Sequence, residues 1–324
     1  MNQLEQLKTM TTVVADTSDF NSMIQYSPTE ATTNPSLIYQ ASQNAQYLPL
    51  LQEAIAYAKQ YASSSKELLS LALDKTFVNF GLEILKIVPG RVSIEIDARL
   101  SFDSEGSIKK AKKIIALFEN YQIDRSRILI KLATTWEGIM AAKKLEKEKI
   151  QCNMTLLFSL CQAIACAKVN STLISPFVGR ILDWYRKKEN NKDYLPHEDP
   201  GVLSVTQIYQ YYKKFGHKTQ IMGASFRSKD EILQLAGCDF LTIAPKFLEE
   251  LKNSQEPLNR LLNPNLENPN LKNPNLEKIN IDEKQFRYLL NQDEMASEKL
   301  SDGIRIFVRD ITKLEKEIEK RINS

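Results

Sequence analysis

The sequence predicts a (β/α)8 barrel with additional helices and a C-terminal helical extension, on three observations. Eight short apolar runs alternate with longer stretches of helical period along most of the chain. Strands spaced by helices in this way pair in parallel, because each crossover carries the chain back to start the next strand in the same direction. Eight such units in 324 residues favour a closed barrel over an open sheet, and the chain reads as one domain over 1–324.

The apolar runs lie at 12–15, 31–33 (the weakest), 92–96, 128–130, 152–158, 172–175, 220–224 and 240–244. Helical periodicity covers 48–61, 67–88, 108–121, 136–147, 160–168, 181–188, 205–215 and 229–236, the last closed by Gly237 as a C′ glycine. Residues 36–88 are oversized for one crossover and hold about two helices. Residues 189–203 read as a long polar loop. Residues 263–277 repeat Asn-Pro-Asn-Leu three times, followed by Glu, Lys and Glu. A proline every fifth residue forbids a continuous helix, so this tract reads as a low-complexity insertion rather than a recognition or metal-binding loop. Residues 282–322 are strongly helical, and Leu314, Ile318 and Ile322 at i, i+4 spacing favour a helix capping the barrel over a coiled-coil contact.

Composition excludes several classes of function. Hydrophobic residues make up 43% and charged residues 26%, enough for a sizeable core. The net charge of +3 is too small to point to nucleic acid. No apolar run approaches the ~18 residues of a membrane span, and residues 1–10 lack the apolar core of a secretory signal. Cys152, Cys161, Cys166 and Cys238 match no zinc or redox spacing and read as reduced core thiols of a cytoplasmic protein. With only His197 and His217 present, both in polar stretches, histidine metal sites and Ser-His-Asp triads are poor readings. Ten glycines, none closer than Gly216 and Gly223, exclude GxGxxG and Walker loops, so no nucleotide cofactor is expected. Any bound phosphate must be held by Arg, Ser and Lys side chains or by helix N-termini.

Catalytic side chains of such a barrel stand at the C-terminal strand ends. Reading there gives Asp16, Asn34, Glu95, Lys131, Asn153 with Thr155, Ser175 with Arg180, and Ser225 with Arg227. Seven of the eight runs thus end in polar groups. Lys131 follows Ile128-Leu129-Ile130, where partial desolvation favours the neutral amine that can attack a ketone. A lysine snorkelling from a strand end is the commoner explanation of such a pattern taken alone. Asp16 and Glu95 could divide general acid and base work, or cap a helix, or pair with Lys131. Arg180 and Arg227 could make bidentate contacts to phosphate, or form surface ion pairs.

Longer motifs decide between these alternatives. Val14-Ala15-Asp16-Thr17 and Ala31-Thr32-Thr33-Asn34-Pro35-Ser36-Leu37-Ile38 resemble the start of the transaldolase family. Ile128-Leu129-Ile130-Lys131-Leu132-Ala133-Thr134-Thr135-Trp136 resembles its Schiff-base motif. Glu95-Ile96-Asp97-Ala98-Arg99-Leu100-Ser101, the run from Cys152 to Ser159, the run from Ile174 to Arg180 and Met222-Gly223-Ala224-Ser225-Phe226-Arg227 also match, so the resemblance spans nearly the whole chain. The Asn-Pro-Asn-Leu tract departs from the family, which has a shorter, non-repeating segment there.

The resemblance implies a transferase of the pentose phosphate pathway. Such an enzyme moves a dihydroxyacetone unit from fructose 6-phosphate or sedoheptulose 7-phosphate to glyceraldehyde 3-phosphate or erythrose 4-phosphate. It implies Lys131 as the Schiff-base amine, Glu95 and Thr155 as holders of a proton-relaying water, and Asp16 as the base for C3–C4 cleavage. Asn34, Asn153 and Ser175 would grip hydroxyls, and Arg180, Ser225 and Arg227 the phosphate, with no metal and no cofactor. Phe177 lies where the related fructose 6-phosphate aldolases carry tyrosine, which favours the transferase. The full set Asp16, Glu95, Lys131 and Thr155 argues against a catalytically dead scaffold. The resemblance also implies a homodimer; Asp97 and Arg99 receive no role.

Overall fold

Eight parallel strands close on themselves in sequence order in the computed structural model, which describes residues 1–263 and 277–323. They are β1 (Thr12–Asp16), β2 (Glu30–Thr32), β3 (Val92–Glu95), β4 (Ile128–Ala133), β5 (Cys152–Leu157), β6 (Leu173–Pro176), β7 (Gln220–Gly223) and β8 (Phe240–Ile243). β1 pairs with both β2 and β8, so the sheet has no free edge. The early helices are α1 (Gln3–Lys8), α2 (Phe20–Tyr26), α3 (Pro35–Ser42), α4 (Leu48–Tyr61), α5 (Ser65–Ile87), α6 (Ser104–Glu119) and α7 (Trp136–Lys147). They are followed by α8 (Leu160–Lys168), α9 (Val178–Lys188), α10 (Pro200–Lys214), α11 (Lys229–Gln234) and α12 (Pro245–Lys252). The extension is α13 (Glu283–Gln292) and the long α14 (Glu294–Ile322).

Strand alternation sorts the barrel interior into levels. At the N-terminal end Arg91 bonds Glu30 at 2.6 Å and Gln220 at 2.9 Å. Above it Val14, Leu129, Leu173, Met222 and Phe240 form a buried apolar plug. Two residues further along β1, β4, β6 and β8 come Asp16, Lys131, Ser175 and Thr242, so the plug is the floor of a polar chamber. The main core lies outside the strands, under the helices, and includes Val13, Ala15, Ile94, Ile130, Leu132 and Ile174.

All eight expected strands are present, with ends shifted by a residue or a few. The helices at 48–61, 136–147 and 160–168 have the expected limits. Four short helices, α1, α2, α3 and α12, are additional to the sequence reading, because six to eight residues give too few turns for a clear period. The region from 36 to 88 accordingly holds most of α3 as well as α4 and α5. Residues 189–203 are not wholly loop: Pro196–Glu198 form a 3-10 turn, and α10 starts at Pro200, capped by Asp199. Gly237 is not the residue next to the α11 cap, which is Leu235. Its φ of +102° and a Cβ position 2.2 Å from the Leu262 carbonyl oxygen explain the glycine instead. The stretch 282–322 breaks at Asp293, which caps α14. Leu314 and Ile318 are fully buried within the chain, as a helix lying on the barrel requires. Apart from Asn263 and Glu277 at its ends, the repeat tract lies outside the described residues.

Candidate active site

The register of the ladder places the central groups. Glu95 pairs with Lys131, and Lys131 with Asn153, so a carboxylate, an amine and an amide stand side by side on β3, β4 and β5. The Lys131 Nζ lies 3.1 Å from Glu95 Oε2 and donates to the Thr33 carbonyl at 3.3 Å. Both side chains are almost fully buried, at 6% and 3% exposure. Burial pushes the Glu95 carboxyl above its usual range, and the charge of Lys131 opposes this.

Asn153 accepts from the Ser175 hydroxyl at 2.6 Å and donates to Ser93 Oγ at 3.1 Å, which fixes the orientation of its amide. On the other wall the Thr32 hydroxyl donates to Asp16 Oδ1 at 3.0 Å. Thr32 has one proton to give, so the Thr242 hydroxyl, 2.7 Å away, is the donor to Thr32. A chain of hydroxyls from β8 through β2 therefore ends on the carboxyl of β1. Burial raises the Asp16 carboxyl, and Lys131, Thr32 and Arg180 oppose the rise.

Asp16, Asn34, Lys131, Ser175, Phe177, Arg180 and Ser225 line one pocket at the C-terminal mouth. Glu95, Asn153 and Thr155 are buried and do not line it. Asn34 caps α3 through its Oδ1, which accepts from the Leu37 amide at 3.0 Å, and its amide nitrogen makes no hydrogen bond among the described residues. The Thr155 hydroxyl is buried and has no hydrogen-bond partner, whereas Glu95 Oε2 has the Lys131 amine 3.1 Å away. The Thr155 hydroxyl is thus a buried polar group left unmatched, which native interiors seldom tolerate without use.

The two arginines differ. The Arg180 guanidinium lies 4.8 Å above the Phe177 ring and 5.5 Å from the Phe307 ring. It has no hydrogen bond and no ion pair among the described residues. Burial lowers its proton affinity, as does the charge of Arg227. Arg227 is partly exposed and already forms a bidentate pair with Asp183, donating from Nη2 to Oδ2 at 2.7 Å and from Nε to Oδ1 at 3.2 Å. Its Nη1 donates to the Ser225 carbonyl at 3.2 Å. Ser225 is held in the left-handed region at φ 62°.

Several pocket residues escape the sequence reading. Thr242 is the contribution of β8, the one strand assigned no polar group, because it stands inside the run rather than at its end. Alternation from Phe240 would have found it. Thr32, Met222 and Ala224 line the pocket by the same alternation. Phe307 comes from α14, and nothing local marks it. Asp97 and Arg99 form an ion-pair clamp to Glu315 of α14, with Arg99 Nη1 3.1 Å from the glutamate. No group of three or more metal-ligating side chains occurs among the described residues, and no described helix is long and apolar enough to cross a membrane.

Comparisons with known proteins show the family. A family model described as Transaldolase/Fructose-6-phosphate aldolase matches residues 13–318. A transaldolase of Protochlamydia amoebophila is 60% identical over 315 residues, covering 97% of this chain and 96% of the relative. The transaldolase of Rattus norvegicus is 57% identical over 323 residues, covering 99% and 94%. That of Saccharomyces cerevisiae is 54% identical over 325 residues, covering 100% and 96%. With matches of this identity along its whole length, the chain belongs to the transaldolase/fructose-6-phosphate aldolase family.

Proposed function

We propose a division of labour for the dihydroxyacetone transfer that this enzyme carries out between sugar phosphates through a lysine Schiff base. Lys131 attacks the C2 carbonyl of the donor ketose. Glu95, beside the amine, and Thr155, whose buried hydroxyl is otherwise unmatched, hold the water that carries protons as the carbinolamine loses hydroxide. Asp16 takes the C4 hydroxyl proton while the C3–C4 electron pair moves into the iminium, giving an enamine and a free aldehyde. The iminium is the electron sink, so the step asks for no metal and no cofactor. Attack of the enamine on the acceptor aldehyde reverses these steps.

Asn34, Asn153 and Ser175 grip the hydroxyls of the three-carbon unit, and Phe177 is the apolar wall beside them. Arg180, with Ser225 and Arg227, takes the phosphate. The observation that supports this reading is a buried Lys131 that touches Glu95 behind it and lines a pocket with Asp16 and with Arg180, which has no ion pair among the described residues. Borohydride reduction in the presence of fructose 6-phosphate, followed by mass mapping, should label Lys131; a label on another lysine overturns the assignment.

We also read the chain as one barrel unit acting as a cytoplasmic homodimer. Four free, buried cysteines suit a reducing compartment, and the family resemblance supports the dimer. Sedimentation of the purified enzyme tests the dimer directly.

A further inference from the structure

β8 and β2 flank β1 on its two sides, and each turns one threonine into the chamber. Thr242 stands beside Val14 in the β1–β8 ladder, and Thr32 beside Asp16 in the β1–β2 ladder. Neighbouring strands lie about 4.8 Å apart, so these two hydroxyls meet only because the closed barrel bends its inward faces together. Their oxygens are 2.7 Å apart, and Thr32 Oγ1 is 3.0 Å from Asp16 Oδ1. Both threonines are buried, at 4% and 2% exposure.

Among the described residues the Thr242 hydroxyl has no partner but Thr32, and Asp16 Oδ2 accepts no hydrogen bond. The floor beneath them, Val14, Leu129, Leu173, Met222 and Phe240, offers no hydroxyl, amide or carboxyl. One proton fits between each pair of oxygens, so the row has two possible directions. Running from Thr242 through Thr32 to Asp16, every hydroxyl has an acceptor and the carboxylate takes the last proton. Running the other way, a protonated Asp16 donates to Thr32, Thr32 donates to Thr242, and the Thr242 proton is left without a protein acceptor.

We propose that Thr242 is the positioning residue of the cleavage base: its hydroxyl sets the direction of the row, so that Asp16 meets the C4 hydroxyl as a proton acceptor. The proposal rests on the reading of Asp16 as that base. In the working direction both O–H dipoles point at one charge. A hydrogen bond to an ionised acceptor is stronger than one between neutral groups, and each donor in a row polarises the next. A protonated carboxyl gains little from this alignment. The Thr242 hydroxyl therefore favours the ionised form of Asp16, acting through Thr32, and leaves Oδ2 for the substrate proton.

The charged groups that face Asp16 are the same with or without this hydroxyl. They are Lys131 of β4, Glu95 of β3 and Arg180 of α9. On the neighbouring elements Glu30 of β2 is bound to Arg91 below the plug, and β8 carries no titratable side chain. Lys8 of α1 donates to the Tyr26 carbonyl, and Glu5 closes the α1 cap. Asp19, in the loop after β1, accepts from Ser22 and Tyr47.

The proposal is tested by steady-state kinetics of the full-length Thr242→Val, Thr242→Ala and Thr242→Ser enzymes with fructose 6-phosphate and erythrose 4-phosphate, from about pH 4.5 to about pH 8. Valine puts a methyl group where the hydroxyl was and alanine leaves a gap, so an effect common to both belongs to the hydroxyl. In both, the acid limb of kcat should move up by about half a pH unit to one unit, the size expected for one hydrogen bond made to the ionised form. The KM for the donor should change by less than about twofold. Thr242→Ser keeps the donor and should return the limb to its wild-type position. Rapid-quench borohydride trapping at neutral pH should proceed at the wild-type rate in all three, because imine formation does not use Asp16.

An acid limb that stays in its wild-type position in the folded valine and alanine variants overturns the proposal, even if kcat falls at every pH, since altered packing alone would do that. So does a serine variant displaced as far as the alanine variant. Trapping slowed in step with turnover also overturns it, because Thr242 would then act before cleavage. Asp16→Asn separates the two layers of the argument. If that variant turns over like wild type, the reading of Asp16 as the base fails. If it cannot turn over while the Thr242 variants keep the wild-type pH profile, only the role of Thr242 fails.

Discussion

Glu95 is the register partner of Lys131 in the β3–β4 ladder, and its Oε2 lies 3.1 Å from the lysine Nζ. The pair is buried, so neither charge is screened by solvent. Glu95→Gln keeps the shape and removes the charge. We expect imine formation to slow by ~10²–10⁴, the usual loss for one acid–base group. Rapid-quench borohydride trapping measures this step, and trapping at the wild-type rate would remove Glu95 from it.

Asp16→Asn should still form the imine but fail to break the C3–C4 bond, with turnover lower by ~10²–10⁴. The carboxylate is the working form, so wild-type rate should fall as pH drops. Burial raises this carboxyl, which puts the midpoint above the ordinary value of about 3.9. A raised carboxyl stabilises the fold while protonated, and this contribution is lost as pH rises through the shifted value. The neutral amide should therefore give a thermal midpoint at neutral pH at least as high as wild type. A lower midpoint together with full turnover would contradict both halves.

The two arginines should not be equal. Arg180 has no anionic partner among the described residues, whereas Arg227 already has Asp183. A charge-assisted bond to a ligand contributes about 1.5–3 kcal/mol. Arg180→Ala should therefore raise the KM for phosphorylated donors by roughly tenfold to a hundredfold. Arg227→Ala should raise it less, because the free enzyme spends that guanidinium on a carboxylate at the rim. The reverse order in measured KM values would show that Arg227 changes partner on binding.

Gly179→Ala should injure the pocket from outside it. The added methyl would sit 2.5 Å from the Ser225 carbonyl oxygen, a backbone atom that cannot rotate away. Overpacking of this kind costs about 1–3 kcal/mol. We expect a lower melting temperature and a raised KM together. A lowered melting temperature with unchanged KM would show that α9 and the loop 225–228 move independently.

How much of this was legible in the sequence depends on the range of the signal. The barrel was legible because strand and helix periods are local, whereas a lysine in Ile-Leu-Ile-Lys-Leu reads by itself as a snorkelling strand end, and only the longer motifs single out Lys131. Thr242 was not seen, since a threonine inside an apolar run is ordinary strand composition. Asp199 and Glu231 each look like an unremarkable helix-cap residue, and only the fold shows that both are buried. The left-handed Leu156, at φ 54° in the β5 bulge, carries no signal either. Its conformation is imposed from a distance. Gln162 donates to its carbonyl at 3.2 Å, and a Cβ on Gly303 of α14 would lie 2.6 Å from its Cδ2.

That reliance on α14 bears on the order in which the enzyme becomes competent during synthesis. β8 closes the barrel at Ile243, yet Phe307, which covers Arg180, and Gly303, which backs the bulge beside Thr155, are translated later. A chain that has emerged only as far as β8 therefore lacks one wall of the chamber. Lys131 has then been made, while the Phe307 ring beside Arg180 is still missing. The pocket is complete only when the last long helix lies across the mouth, so Lys131 is not enclosed by all of its lining before then.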